Sequence, residues 1–241
     1  MNKKKQYTRL VEPKNNKQKE FLESVADYPV TFAVGSAGSG KTFLATAKAV
    51  EYLNYGLVDK LVVVRPAVAT EDLGFLPGDM KEKVDPYLLP IWDCLSNIAG
   101  PEKFRDMQED KLIEIAPLAF MRGRTFSNAF IILDEAQNTT IDQMKMFLTR
   151  FGENVKVVIT GDPTQSDIKG MNGLNWALEK LSECKSVNII KYSKNQVVRS
   201  MLVKDILTHL ERENAKNTSA TDSESDTGRG LPEFIIREPI G

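Results

Sequence analysis

Residues 35–42 of the 241-residue sequence read Gly-Ser-Ala-Gly-Ser-Gly-Lys-Thr and match the pattern G-x-x-x-x-G-K-[ST] in full. In such a loop, glycines let backbone N–H groups converge on phosphate oxygens without obstruction from Cβ atoms. The lysine neutralises β- and γ-phosphates, and the threonine hydroxyl ligates Mg²⁺. The predicted nucleotide-binding residues are Gly35, Ser36, Ala37, Gly38, Ser39, Gly40, Lys41, Thr42 and Phe43.

The acidic pair Asp134 and Glu135 follows the apolar run Phe130–Leu133. A buried strand that ends in carboxylates brings them to the carboxyl edge of a sheet, where open α/β sheets bind ligands. We expect Asp134 to hold Mg²⁺ through its water shell, and Glu135 to orient or deprotonate an attacking water. The alternative is an acidic strand-to-helix turn with Glu135 solvated. A base for water favours hydrolysis over transfer of phosphate to a small metabolite.

A third candidate is Gln165, which ends the polar turn Thr160-Gly-Asp-Pro-Thr-Gln165 after the apolar run Val155–Ile159. On this interpretation its amide hydrogen-bonds the γ-phosphate or the attacking water, and so distinguishes ATP from ADP. The alternative is a Gly-Asp-Pro turn that leaves Gln165 in solvent.

Two arginines, Arg122 and Arg124, lie in Met-Arg-Gly-Arg-Thr just after a predicted strand. An arginine that spreads its donors over a phosphoryl group in the transition state contributes about 10³–10⁵ in rate. The alternatives are a solvated or salt-bridged pair, or contacts to nucleic-acid phosphates. Either arginine would act within its own subunit or on a neighbour.

The elements that must position these residues recur along the chain as short, apolar, β-branched runs separated by helical stretches. Such alternation predicts a doubly wound α/β fold with a mostly parallel sheet, covered on both faces. A helix is predicted at Thr42–Leu53, directly after the glycine-rich loop. The predicted strands are Val30–Val34, Leu61–Val64, Leu112–Ile115 (the weakest), Phe130–Leu133, Val155–Ile159 and Val187–Ile190.

Together these segments resemble the PhoH family of ATPases, which are similar to a single motor domain of superfamily 1 helicases. The resemblance extends over about residues 16–210. It implies a RecA-like P-loop NTPase core, ATP and Mg²⁺ as ligands, and a role with RNA or single-stranded DNA. Besides residues 35–42, the segments that carry it are Val64–Val68, Gly74–Gly78, Ala116–Thr125, Leu133–Asn138 and Gly161–Gln165.

The resemblance also implies roles for three further residues. Gln18 resembles the glutamine that reads the adenine amino edge, with a surface glutamine on a helix as the alternative. Arg65 lies in the motif that links the nucleotide to bound nucleic acid. Arg199 corresponds to an arginine that reaches the γ-phosphate. The family pattern continues there with histidine and proline, where this sequence has Ser200 and Met201.

Superfamily 1 helicases hold the nucleotide between two tandem motor domains, whereas the predicted strands suffice for one. We therefore expect a second subunit to complete the site in a homo-oligomer, and the family resemblance suggests a ring of six. The alternative is a monomeric switch that hydrolyses slowly.

Composition limits what can be expected of nucleic-acid partners, cellular compartment and membrane association. The 32 basic and 33 acidic residues leave a net charge of −1, which neither supports nor excludes a nucleic-acid partner. Two distant cysteines and the lack of any apolar run near the ~20 residues of a membrane span lead us to expect a cytoplasmic protein without a membrane partner.

The polar ends of the chain set the expected domain boundaries. We expect a flexible arm at 1–15, the ATPase domain at 16–212 and a flexible tail at 213–241. The apolar peptide Leu231–Ile236 within that tail is either inert or docks as an added strand. The alternative function is an ATP-dependent assembly switch that acts on a protein partner without nucleic acid.

Overall fold

The computed structural model of the chain describes residues 11–66, 80–193, 196 and 206, with side chains described except at 80–88. The α-helices are α1 (Asn16–Asp27), α2 (Lys41–Asn54), α3 (Met80–Ala99), α4 (Pro101–Glu109), α5 (Ile141–Leu148) and α6 (Gly173–Lys180). The strands are β1 (Val30–Gly35), β2 (Lys60–Arg65), β3 (Ile113–Pro117), β4 (Ala129–Leu133), β5 (Val155–Gly161) and β6 (Val187–Tyr192). Short 3₁₀ helices cover Leu118–Met121 and Ala136–Asn138.

These strands form one six-stranded sheet in the order β3-β2-β4-β5-β1-β6. Every neighbouring pair runs parallel, so the predicted fold class is confirmed and the described sheet is parallel throughout. Each predicted apolar run falls on one of the strands. The weakest of them, Leu112–Ile115, overlaps the edge strand β3.

Helices cover both faces of the sheet, which explains why the strands are apolar on both sides. Ala33 of β1 and Ile132 of β4 pack with Leu44 of α2 in one buried cluster. Their neighbours along the strands, Phe32 and Leu133, pack in a second cluster with residues of α5 and α6. Within the described residues, no helix is both long and apolar enough to cross a membrane.

The position of β5 between β1 and β4 is the feature of the sheet that shapes its carboxyl edge. Val34 of β1 pairs with Gly161 of β5, and Leu133 of β4 pairs with Ile159 of β5. Because parallel strands all end at the same edge, the turns that follow these three strands lie side by side. The glycine-rich loop, the acidic pair and the Gly-Asp-Pro turn therefore meet, although they are distant in sequence.

Candidate active site

The loop between β1 and α2 begins and ends with glycines in left-handed conformations. The backbone angle φ is +134° at Gly35 and +85° at Gly40. A Cβ atom on Gly35 would lie 2.2 Å from the carbonyl oxygen of Tyr192 on β6. Both the backbone conformation and the packing against β6 therefore require glycine at the start of the loop.

The Lys41 side chain crosses this loop from the first turn of α2. Its Nζ donates hydrogen bonds to the carbonyl oxygens of Gly35 at 2.6 Å and Ser36 at 2.9 Å. A third contact, to Oγ of Ser39, measures 3.3 Å. The ammonium group is thus held over the backbone that would surround a phosphate group, at the N-terminal end of a helix whose dipole attracts anions.

Charges at the sheet edge act on the same ammonium group. Burial lowers the pKa of Lys41, and the carboxylates of Asp162, Glu135 and Asp134, in that order of effect, oppose the decrease. Because a lysine is a compact point charge, this placement suits it to neutralise phosphate oxygens between the loop and the carboxylates.

Asp134 is 2% exposed and accepts hydrogen bonds on both carboxylate oxygens. Its Oδ1 accepts from the hydroxyls of Thr42 and Thr160, each at 2.7 Å. Its Oδ2 accepts from Arg65, at 2.9 Å from Nε and 2.8 Å from Nη2. The carboxylate is thereby fixed between α2, β5 and the end of β2.

Glu135 has the left-handed backbone conformation, with φ of +56°, which is uncommon for a residue with a side chain. Its side chain is 49% exposed and reaches the cavity described below. Oε2 accepts a hydrogen bond from Nε2 of Gln137 at 2.6 Å, and Oε1 lies 3.8 Å from Nη2 of Arg65. Backbone strain of this kind clusters at functional sites.

The turn after β5 places Asp162 and Gln165 at the same edge. Oδ1 of Asp162 accepts hydrogen bonds from the backbone N–H of Thr164 at 3.0 Å and from its hydroxyl at 2.7 Å. Oδ2 of Asp162 is buried and has no hydrogen-bond partner within the described residues. The N–H of Gln165 donates to the Asp162 carbonyl at 3.1 Å, which leaves the exposed Gln165 side chain at the cavity.

These groups surround a cavity of about 270 Å³. The glycine-rich loop forms one wall, and the turns after β4 and β5 form the other. Gly35, Ser36 and Ser39 lie behind the lining as part of the loop. The lining residues are Ala37, Gly38, Gly40, Lys41, Thr42, Phe43, Asp134, Glu135, Gly161, Asp162 and Gln165.

The oxygens at this edge fit a magnesium ion that completes its shell with water and phosphate. Thr42 Oγ1 and Asp134 Oδ1 lie 2.7 Å apart, and hydroxyl and carboxylate oxygens are the ligands that Mg²⁺ prefers. Among the described residues, no group of three or more His, Cys, Asp or Glu side chains is arranged to hold a metal. Mg²⁺ beside substrate phosphates is usually bound by one or two carboxylates together with water, and Asp134 would supply such a carboxylate.

Gln18 is 3% exposed and lies behind the loop, outside the set of cavity-lining residues. Its Nε2 donates to the Ser39 carbonyl at 3.0 Å, and its Oε1 accepts from the backbone N–H of Lys14 at 2.7 Å. A Cβ atom on Gly40 would come within 3.1 Å of this Nε2. In this arrangement the amide contacts the loop backbone, and the contact with adenine that the family resemblance implies stays a prediction.

Neither Arg122 nor Arg124 lines the cavity. Arg124 forms a two-pronged salt bridge with Glu114 of β3, and its guanidinium lies 4.7 Å from the Phe126 ring centroid. This arrangement corresponds to the salt-bridged alternative. Arg122 is exposed, and Arg199 lies outside the described residues. The same is true of residues 67–79, of the first part of the arm at 1–10 and of the tail at 213–241.

Sequence reasoning assigned no role to three residues that the structure places in the network. In the sequence, Thr160 resembles any β-branched residue of a strand. Its contact with Asp134 becomes evident only from the strand order. Asp162 reads as a turn former. Gln137 stands two residues after Glu135, and that spacing was the available signal for its contact with the Glu135 carboxylate.

Comparisons with known proteins agree with this geometry. The family model described as PhoH-like protein matches residues 10–211. The large terminase of a thermophilic bacteriophage, solved in complex with ADP, is similar in fold, with a TM-score of 0.50 and 14% identity over 81% of this chain and 49% of the terminase chain. At that identity the likeness concerns the fold alone.

Curated relatives match much more closely. The chain is 48% identical to a PhoH-like protein of Bacillus subtilis over 82% of this chain and 63% of the relative. It is 47% identical to Protein PhoH of Escherichia coli over 78% of this chain and 55% of the relative. The chain thus spans only a little more than half the length of such relatives. With its RecA-like P-loop NTPase core, the chain belongs to the PhoH-like protein family.

Proposed function

We propose that the chain binds Mg²⁺-ATP in the cavity and hydrolyses it. The observation that carries this proposal is the convergence of Lys41, Thr42, Asp134 and Glu135 on one cavity of about 270 Å³. A phosphate-binding loop alone would support nucleotide binding. A second carboxylate beside it, Glu135, is 49% exposed at the cavity and adds a base for water.

Each of these residues has a separate role in the proposed hydrolysis. Lys41 exchanges the carbonyl oxygens of its own loop for β- and γ-phosphate oxygens when the nucleotide binds. Thr42 and Asp134 would hold Mg²⁺, which neutralises charge on the phosphates when it is bound. Gln165 is placed to hydrogen-bond the γ-phosphate or the attacking water.

Glu135 is the proposed base. It accepts a proton from water while the water oxygen forms a bond to the γ-phosphorus. The bond between that phosphorus and the oxygen bridging to the β-phosphate breaks, and ADP leaves with the electron pair. The observation in favour of this role is that Glu135 lines the cavity with its side chain 49% exposed, while Gln137 holds Oε2 and Arg65 forms a long ion pair of 3.8 Å with Oε1.

Phosphate release from Mg²⁺-ATP tests the assignment of this cavity, with Lys41 in it, as the ATP site. Lys41→Met should lower kcat by about 10²–10³, because it removes a positioned cation from the phosphates. Lys185→Met, at an exposed lysine, provides the matched control and should leave kcat unchanged. Equal rates in the two variants would overturn the assignment of the cavity as the ATP site.

The finer proposal is that hydrolysis is coupled to RNA or single-stranded DNA. Arg65 supports it, because this residue ends β2 in the motif that the family resemblance connects with nucleic acid, and it contacts Asp134 directly. A ligand that moved the end of β2 would therefore shift the metal-side carboxylate. ATPase rates with and without RNA or single-stranded DNA test the coupling, and complete indifference would favour the assembly switch on a protein partner.

We further propose that the domain at 16–212 assembles into a homo-oligomeric ring in the cytoplasm. Lys41 is the only cationic residue among the described residues that line the cavity. An arginine that stabilises the transition state would therefore come from Arg199 or from Arg122 of a neighbouring subunit. Light scattering with and without an ATP analogue tests assembly. Mixing Arg122→Ala subunits into wild-type protein tests the contribution in trans, since a strictly proportional loss of ATPase would argue against it.

A further inference from the structure

Gln137 joins the two turns that face the phosphate-binding loop. Its Nε2 donates to Oε2 of Glu135 at 2.6 Å, and its Oε1 accepts from the backbone N–H of Asp162 at 3.0 Å. The side chain is 3% exposed. One amide group therefore connects the proposed base after β4 to the first residue of the turn after β5.

The orientation of this amide is determined by its partners. Glu135 offers only acceptor atoms, and a backbone N–H is a donor. A reversed amide would set oxygen against the carboxylate and NH₂ against the N–H of Asp162. Glycine at 161 makes room for this amide, because a Cβ atom there would lie 2.7 Å from Gln137 Oε1. Gln137 thus makes both contacts together in a single orientation.

The contact with Gln137 restricts the Glu135 side chain, which is 49% exposed to solvent. The backbone at Glu135 is left-handed, with φ of +56°. Oε2 is held by Gln137, whereas Oε1 lies 3.8 Å from Arg65 Nη2, which is too far for a hydrogen bond, so Oε1 can accept one from a water molecule. Since a misplacement of about 1 Å costs about 10²-fold in rate, a fixed carboxylate matters for proton transfer.

We infer that Gln137 is a positioning residue, which holds the Glu135 carboxylate for proton transfer and ties it to the turn that carries Gln165. This inference rests on the proposed ATP hydrolysis. Any movement of the Asp162 backbone, such as one that follows contact between Gln165 and the γ-phosphate, is transmitted through the Gln137 amide to the base.

Two substitutions in the full-length chain separate the two contacts. Gln137→Met has nearly the same length and loses both hydrogen bonds. Gln137→Glu keeps an acceptor for the N–H of Asp162, but it replaces the NH₂ donor that faces Glu135 with an acceptor oxygen. Gln143→Met is the matched control, because Gln143 lies in α5 and accepts a hydrogen bond from the backbone N–H of Thr140 in a capping box.

Steady-state kinetics and calorimetry with a non-hydrolysable ATP analogue supply the readouts. Both Gln137 variants should lower kcat by about 10–10²-fold, while KM and the Kd of the analogue change by no more than about twofold. The same substitutions in a Glu135→Gln background should cause no further loss, since the group they position is absent. Gln143→Met should keep wild-type kcat.

Three outcomes would overturn the inference. The first is wild-type kcat in Gln137→Glu, and the second is an equal further loss in the Glu135→Gln background. The third is a loss of kcat in parallel with loss of the folded circular dichroism spectrum in both Gln137 variants. If the wild-type chain binds the analogue but releases no phosphate, the proposed hydrolysis itself is wrong. That result differs from active wild-type protein with equally active Gln137 variants, which would remove only the role of Gln137.

Discussion

The hydroxyl of Thr42 donates a hydrogen bond to Oδ1 of Asp134 at 2.7 Å, across a separation of 92 residues in the sequence. The first residues of α2 and the end of β4 are thereby joined where the metal is expected. Both oxygens are suitable Mg²⁺ ligands, so the pair marks the side of the cavity at which an ion would be bound. This pairing is the geometric basis for proposing a magnesium-dependent nucleotide site.

Removing the Thr42 hydroxyl should lower the affinity for Mg²⁺ in the nucleotide complex. Thr42→Val keeps the shape of the side chain but loses the oxygen, and the Mg²⁺ concentration for half-maximal binding should rise about 10–100-fold. A fluorescent ATP analogue titrated with MgCl₂ measures this shift. Thr42→Ser retains the hydroxyl and should resemble wild type, whereas a wild-type magnesium dependence in Thr42→Val would contradict the assignment.

Substitution of Gln18 should lower the affinity for all nucleotides alike. Its amide contacts the Ser39 carbonyl and the N–H of Lys14, so Gln18→Met removes support for the loop. We expect ATP and GTP affinities to fall together by about five- to tenfold, which corresponds to the loss of a buried hydrogen-bond partner. Competition binding with both nucleotides is the measurement. A selective loss of ATP affinity would instead indicate that Gln18 reads the adenine ring.

Arg65 should contribute strongly to stability, because it supplies two donors to the buried Oδ2 of Asp134. Arg65→Met leaves that charge without these donors and should lower the free energy of unfolding by about 2–4 kcal/mol. Urea denaturation measures the change. Arg105→Met, at an exposed residue of α4, is the control and should have little effect. Similar unfolding midpoints for both variants would show that Asp134 is satisfied in another way.

The Glu114–Arg124 pair should give a pH-dependent contribution to stability. The hydrogen bond from Arg124 holds the pKa of Glu114 below its ordinary value, against the opposing effect of burial and with help from Lys60. A lowered pKa stabilises the fold above the ordinary glutamate value of about 4.3 and loses that effect as pH falls through the lowered value.

Arg124→Met should therefore cost about 1 kcal/mol at pH 7, a small value because the Arg124 side chain is 37% exposed. The difference from wild type should shrink as the pH falls below about 4.3. Thermal unfolding of both proteins across this range measures it. A difference that stays constant down to about pH 3, below the ordinary range of a glutamate, would mean that packing against Phe126 supplies the stability instead of the salt bridge.

The strands and the phosphate-binding loop could be predicted because their signals are local. Apolar runs mark buried strands, and the loop pattern names its own chemistry. The contacts of Thr160 with Asp134 and of Gln137 with Asp162 could not be predicted in this way, because they depend on β5 lying beside β4. Periodicity gives no strand order. Gln18 illustrates a second limit, since the pattern located the residue but not the direction of its amide.

Hydrolysis itself is tested most directly by Glu135→Gln, which keeps the size of the side chain and removes its ability to accept a proton. Single-turnover phosphate release should fall by about 10²–10⁴-fold, the usual contribution of a general base. The Kd of a non-hydrolysable ATP analogue with Mg²⁺ should stay within about twofold of wild type, because binding depends on the loop, Lys41 and the metal-side oxygens. Wild-type phosphate release from Glu135→Gln would contradict the account.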